Sequence, residues 1–382
     1  MLTVLVAKER VDGETRVSAT PDTIKQMIKA GLAVSVEAGA GERAFFSDAQ
    51  YEAAGAQVSS DAKAAWGAAD VVLKVRAPEN HAELDEISAP KDGAVVIGFL
   101  APYKNDDMIR SFAQKRITSL PMELVPRITR AQKMDALSSQ ANIAGYKAVL
   151  LAATNLPKYF PLFMTAAGTV KPARVVIMGA GVAGLQAIAT AKRLGAVVEA
   201  SDVRPETEEQ IKSLGGKFIE LPKMEEKGSG TGGYAREVSA DFLKAQQEIV
   251  GRHVAQSDVV VTTALVPGRP APKLLPAFMV EKMKPGAVIV DLAAEQGGNC
   301  ELTERDKEVR KHGVLIIGHT NLPATMPADA SMLYARNVFA LLQNIVTKEG
   351  ALNLDLTDEV TSGTLLTHDG KVVHAPTATR LG

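Results

Sequence analysis

An α/β protein of two domains, each built on a parallel, doubly wound sheet, with a cleft between them, is the architecture this sequence predicts. Three observations predict it. Apolar runs of strand length alternate with helical stretches through both halves of the chain. At 382 residues the chain exceeds what one hydrophobic core ordinarily supports. One unit, from Arg174 to Asp202, places a glycine-rich turn between a buried-strand run and a helix.

Leu2 to Ala7 reads as the first strand. Thr20 before Pro21 is an N-cap with proline at the first helical position, and the helix it opens stops at Gly31. Ala33 to Glu37 is the next strand, Ser47 caps a short helix, and Val71 to Val75 and Ala94 to Phe99 are apolar strands, with a weaker one at Ile117 to Leu120. Ala131 to about Thr154 is helical in character, and Pro157 and Pro161 interrupt the chain just beyond it, as in a connector between domains. Strands at Val175 to Met178, Ala196 to Ala200, Phe218 to Leu221, Asp258 to Thr263, Ala287 to Asp291 and Val314 to Ile317 make a six-stranded sheet. From Asp329 to Thr347, Met332, Leu333, Val338, Leu342 and Ile345 recur at near-helical spacing, in a helix expected to return the chain to the first domain. Thr367 to Gly370 reads as a hairpin-like turn. The domains are accordingly placed at 1–138 with 320–382, and at 139–319.

Composition narrows the function classes. Apolar content of 46% with 23% charged residues is that of a soluble globular protein, and a net charge of −1 gives no electrostatic reason to expect nucleic acid. The single cysteine, Cys300, excludes an intrachain disulfide and any cysteine-clustered metal site, as in an intracellular chain. The six histidines are dispersed, with no HxxxH or HExxH spacing, so no metal is expected. No run of about 18 apolar residues offers a membrane span, and Met1 to Val6 is not a secretory leader.

The glycine turn is the most specific signal. Val175 to Met178 is the strand; Gly179 permits the tight turn, Gly181 lets backbone approach a pyrophosphate at the start of the helix from Val182, and Gly184 lets helix and strand pack closely. Asp202 follows 18 residues after Gly184, where a carboxylate accepts from an adenosine ribose hydroxyl. Its charge disfavours a 2′-phosphate by roughly 1–4 kcal/mol, so NAD is expected over NADP, although Arg204 nearby is the residue type that accommodates a 2′-phosphate. A second polar segment, Arg127 to Asn142, precedes the second domain, at the kind of crossing where interdomain ligands bind. There Gln132 can hydrogen-bond a carboxamide or ribose, and Arg127 can pair with Asp135 or with a nucleotide. A third, Lys227 to Glu237, has four glycines in six residues before Tyr234, which suits either a lid over a nucleotide or a flexible surface linker. Arg269, in a proline-rich turn, is left unassigned.

Taken with Lys8-Glu-Arg10, Arg16 to Pro21, Ser138 to Asn142, Asp202 to Pro205, Thr262 to Pro272, Gln296 to Cys300 and Ala328 to Ser331, these motifs make the chain resemble the NAD(H)-binding component of proton-translocating NAD(P) transhydrogenases over essentially its whole length. The resemblance implies two Rossmann-like domains and direct hydride transfer, Si-Re (AB) specific, between NAD(H) here and NADP(H) on a partner subunit. It implies that Arg127, Ile128, Thr129, Gln132, Asp135 and Ser138 contact the nicotinamide-ribose end, that Gly179, Gly181, Val182, Gly184, Asp202, Val203 and Arg204 hold the adenosine end, and that Gly233 and Tyr234 belong to a mobile loop. A homodimer is implied as well. The chain ends at Gly382 without apolar helices, like the split-subunit form, so the expectation is a cytoplasmic, peripheral subunit held at the inner membrane through separate membrane-spanning and NADP-binding chains.

Alanine dehydrogenases are more distantly similar, and an NAD-dependent amino-acid dehydrogenase is the second reading. Arg16 and Lys74 match positions that bind the keto acid in those enzymes. The same pattern, however, has a proton-transferring histidine where this chain has Phe99 and an aspartate where it has Glu295. Carbonyl reduction needs a proton delivered with the hydride, whereas exchange between two nicotinamides does not. A third reading, motivated by the glycine-rich loop, is a non-catalytic NAD sensor.

Overall fold

The computed structural model describes residues 1–221, 240–266 and 268–382, which form two compact units: Met1–Gln140 with Pro323–Gly382, and Ala141–Leu322. The glycine-rich loop with Gly233 and Tyr234 lies outside the described residues.

In the first unit six strands run parallel: β1 (Thr3–Val6), β2 (Ala33–Glu37), β3 (Gln57–Ser59), β4 (Val71–Leu73), β5 (Val95–Gly98) and β6 (Thr118–Pro121). Their spatial order is β3-β2-β1-β4-β5-β6, extended beyond β6 by an antiparallel hairpin, Thr367–His368 and Lys371–Val372. The strands are apolar on both faces because helices cover both. Val4 and Val6 face one buried cluster with Ile24, Met27 and Val338; Leu5 and Ala7 face another with Trp66, Val72 and Phe112. The return helix, Pro327–Asn344, buries Tyr334, Val338, Leu341 and Leu342 in the first of these.

The chain passes from one unit to the other along the helix Ala136–Asn155, in the region expected to connect domains. In the second unit β7 (Phe163–Thr165) and β8 (Gly168–Val170) form an exposed two-stranded hairpin with no counterpart among the strands expected from sequence. Then come β9 (Arg174–Met178), β10 (Val197–Ser201), β11 (Lys217–Phe218), β12 (Val259–Thr262), β13 (Val288–Asp291), β14 (Glu308–Lys311) and β15 (Val314–Ile317). Their order is β11-β10-β9-β12-β13-β15-β14, seven strands among the described residues rather than the six expected. The extra strand, β14, is an antiparallel edge whose four residues, Glu308 to Lys311, are mostly exposed and charged, so it carries no apolar signal. β9 pairs with both β10 and β12, so the strand order reverses on either side of it, and its carboxyl end is a topological switch point.

Candidate functional site

At that switch point the three glycines do different things. Gly179 has φ +102°, and a Cβ there would lie 2.6 Å from the Thr263 hydroxyl. Gly184 lies against the turn itself: a Cβ would fall 1.9 Å from the Gly179 carbonyl oxygen. Gly181 is the N-cap of the helix Val182–Arg193 with φ −74°, an angle open to any residue, and the nearest atom to an added Cβ is Arg204 Nη2 at 3.9 Å. Nothing among the described residues asks for glycine at 181. It stands at a helix N-terminus, whose amides and dipole favour an anion.

The acid after β10 is set by the same turn. One Asp202 oxygen accepts the Ala180 amide at 2.7 Å, and Arg204 forks the carboxylate through Nε at 2.9 Å and Nη2 at 2.8 Å. Asp202 is buried and Arg204 part-buried. Asp202 therefore stands just after β10 with a cation already on it. Val182, the first residue of the helix, is exposed, and Val203 lies between the paired residues. Thr263, whose hydroxyl donates to the Gly179 carbonyl at 3.0 Å, carries no mark in the sequence pattern; it follows β12 and supports the turn from the neighbouring strand.

In the first unit the polar segment forms a 3₁₀ helix, Thr129–Met134, followed at once by the helix Ala136–Asn155. Residues three apart eclipse in a 3₁₀ helix. Ala131 and Met134 are buried and Ile128 half-buried, so Thr129 and Gln132 share the opposite face and are exposed, with Arg127 exposed just ahead of them. Asp135 plays a structural role. Its carboxylate accepts the Ser138 amide at 2.9 Å and the Ser138 hydroxyl, capping the helix that begins at Ala136. The exposed Arg130 pairs with Asp358. Burial opposes ionisation of Asp358, but hydrogen bonds from Asn344, Thr361 and Arg130 hold its pKa well below the usual carboxylate range.

Arg16 and Lys74 are buried. Arg16 is forked by Glu14 through Nε at 2.8 Å and Nη2 at 2.7 Å, and its Nη1 donates to Gln140 Oε1 at 2.9 Å. Lys74 Nζ donates to Glu86 Oε2 at 2.7 Å and lies 3.5 Å from Glu9. Phe99 packs its ring on Tyr334 with centroids 5.2 Å apart, and the Tyr334 hydroxyl donates to the Lys74 carbonyl. The amides of Leu100 and Ala101 donate to Glu123, whose pKa burial pushes up to about 7. Among the described residues no group of three or more His, Cys, Asp or Glu side chains could hold a metal ion, and no helix is long and apolar enough to cross a membrane.

Residues 5–144 match the family described as alanine dehydrogenase/PNT, N-terminal domain, and residues 148–375 match its C-terminal domain. The chain belongs to the alanine dehydrogenase/PNT family. Within it, the chain is 50% identical to the first part of the NAD(P) transhydrogenase alpha subunit of Rhodospirillum rubrum over 374 residues, 97% of each chain. The crystal structure of transhydrogenase from Sinorhizobium meliloti superposes with a TM-score of 0.86 at 47% identity, covering 97% of this chain and 99% of that one. An alanine dehydrogenase of Staphylococcus saprophyticus is 28% identical over 351 residues, 90% of this chain and 87% of its own. The chain therefore lies on the transhydrogenase alpha-subunit side of its family, and the dehydrogenases are its more distant relatives.

Proposed function

We propose that the chain binds NAD(H) as its substrate and exchanges hydride directly with NADP(H) held by a partner subunit. Gly179, Gly181 and Gly184 would seat the pyrophosphate, Asp202 with Val203 and Arg204 the adenosine ribose, and the exposed face of Arg127, Thr129 and Gln132, with Ile128, Asp135 and Ser138 behind it, the nicotinamide end. The dihydronicotinamide supplies the hydride. The protein's part is to hold its ring at an open surface, with the two nicotinamide C4 atoms about 3–3.5 Å apart once the partner docks. Membrane-spanning and NADP-binding subunits would then carry proton translocation and hold this chain as a peripheral subunit at the cytoplasmic face. No step asks for a metal.

The observation that carries this reading over the amino-acid dehydrogenase is Phe99. A phenyl ring packed on Tyr334 neither donates nor accepts the proton that imine or carbonyl chemistry requires. Arg16 and Lys74, the two cations a keto acid would need, are each held by the chain's own carboxylates.

Nucleotide choice tests the adenosine end. Asp202→Ala removes the ribose acceptor and at the same time releases the Arg204 guanidinium from its fork. A hydrogen bond to a charged group is worth about 1.5–3 kcal/mol, so NADH should bind about 10- to 100-fold more weakly. NADPH should bind no worse than before, because its 2′-phosphate no longer meets a carboxylate there. Equal weakening of both nucleotides in a calorimetric titration would contradict this assignment.

A further inference from the structure

The 3₁₀ helix Thr129–Met134 ends with carbonyls that it cannot satisfy itself. One of them, Lys133 O, accepts the side-chain Nδ2 of Asn337 at 2.8 Å. The other end of that amide, Asn337 Oδ1, accepts the hydroxyl of Ser139 at 2.7 Å, in the first turn of the helix Ala136–Asn155. One buried side chain thus ties together the two sides of Asp135, where the 3₁₀ helix hands over to the α-helix. Asn337 is 8% exposed, and its own helix, Pro327–Asn344, is anchored by Tyr334, Val338, Leu341 and Leu342 in the core of the first unit.

Resting on the reading of Arg127 to Ser138 as the nicotinamide end, we propose that Asn337 is a positioning residue for hydride transfer. It touches no substrate. It fixes the end of the turn that presents Gln132 by joining that turn to a helix unable to move without disturbing the core. The amide suits this role, because it must donate to a carbonyl and accept from a hydroxyl at once, and among side chains of this size only asparagine has both groups in one plane. An aspartate would still accept from Ser139 but would set a carboxylate oxygen against the Lys133 carbonyl. A second tie, Arg130 to Asp358 with Asn344 on the same carboxylate, holds the other end of the 3₁₀ helix to the return segment. Asn337 is the tie that adjoins Asp135 and Ser138.

The experiment uses the full chain reconstituted with the NADP-binding partner. Asn337→Asp, Ser139→Ala and Gln132→Asn are compared by NADH titration, by single-turnover hydride transfer and by amide hydrogen exchange over residues 129–139. Loss of position costs rate more than affinity, since about 1 Å of misplacement costs on the order of 100-fold. Asn337→Asp should keep NADH affinity within about threefold, lower the single-turnover rate about tenfold or more, and speed exchange in that segment. Ser139→Ala, which removes half of the tie and leaves the core untouched, should give the same pattern at smaller amplitude and decides the matter if Asn337→Asp does not fold. If Gln132→Asn slows transfer while Asn337→Asp folds and transfers at the parent rate, or if affinity and rate fall by one common factor, Asn337 does not position the turn. If none of the three variants slows transfer, it is the reading of the turn as the nicotinamide end that fails.

Discussion

Gly184→Ala should cost the second unit both its stability and its nucleotide, whereas Gly181→Ala should cost only the nucleotide. The two glycines stand three residues apart in one turn, and their surroundings differ in kind. A methyl group on Gly184 would sit 1.9 Å from the Gly179 carbonyl oxygen and 2.8 Å from its carbon, so the backbone of the turn, itself held at φ +102°, must retreat by about an ångström or the helix must tilt off the sheet. Such overpacking typically costs about 1–3 kcal/mol, a fall of roughly 2–12 °C in Tm for a unit of this size, and the displaced turn no longer offers its amides. Among the described residues a methyl group on Gly181 meets only Arg204 Nη2 at 3.9 Å, and the backbone angles suit alanine, so Tm should stay within about a degree. It would, however, stand where a pyrophosphate approaches the helix N-terminus, and NADH affinity should fall about 10- to 100-fold. Differential scanning calorimetry beside NADH titration separates the two. Full NADH affinity in Gly181→Ala would mean that the turn does not receive the pyrophosphate.

Gln132→Asn should leave NADH binding within several-fold of the parent while slowing hydride transfer in the reconstituted complex by about 100-fold. The substitution keeps the amide and shortens its reach by one methylene. In the proposed site the adenosine contacts would lie elsewhere, on the Gly179 turn and Asp202, so most of the binding should be untouched. What should change is the aim of the ring, if it lies on the proposed face: Gln132 stands exposed beside Thr129 on a 3₁₀ helix packed through Ala131 and Met134. Single-turnover rates are needed, since steady-state turnover can report product release. Transfer at the parent rate, or equal modest losses in affinity and rate, would remove Gln132 from that role.

Much of this architecture was legible because parallel strands buried on both faces leave unbroken apolar runs, as at Val175–Met178 and Val259–Thr262. Strands that lack such a run were not legible. Glu308–Lys311 is a charged edge, Gln57–Ser59 ends the sheet of the first unit, and Phe163–Thr165 with Gly168–Val170 forms a two-stranded sheet of its own. The site divided in the same way. Gly179, Gly184 and Asp202 declare themselves through spacing, because a turn, a close approach and a carboxylate after the second strand each fix a residue type at a local offset. That Arg204 already forks Asp202, and that Asp135 caps a helix with Ser138, depended on side-chain directions that spacing does not specify. Asn337 was invisible for a different reason. Its partners Lys133 and Ser139 lie 204 and 198 residues away in sequence, and a lone asparagine inside a helical pattern carries no local mark.

Hydride passed from NADH on this chain directly to a nucleotide on another polypeptide, without a proton-transfer group, can be followed as label from NADH deuterated at the transferred C4 position. With the NADP-binding partner present and an oxidised NADP analogue as acceptor, deuterium should appear in the reduced analogue undiluted by solvent hydrogen. Without the partner no label should move, and pyruvate with ammonia should not oxidise NADH at all. Rapid oxidation of NADH by pyruvate and ammonia with this chain alone would make it an amino-acid dehydrogenase, and loss of the label to water in the complete complex would contradict direct transfer.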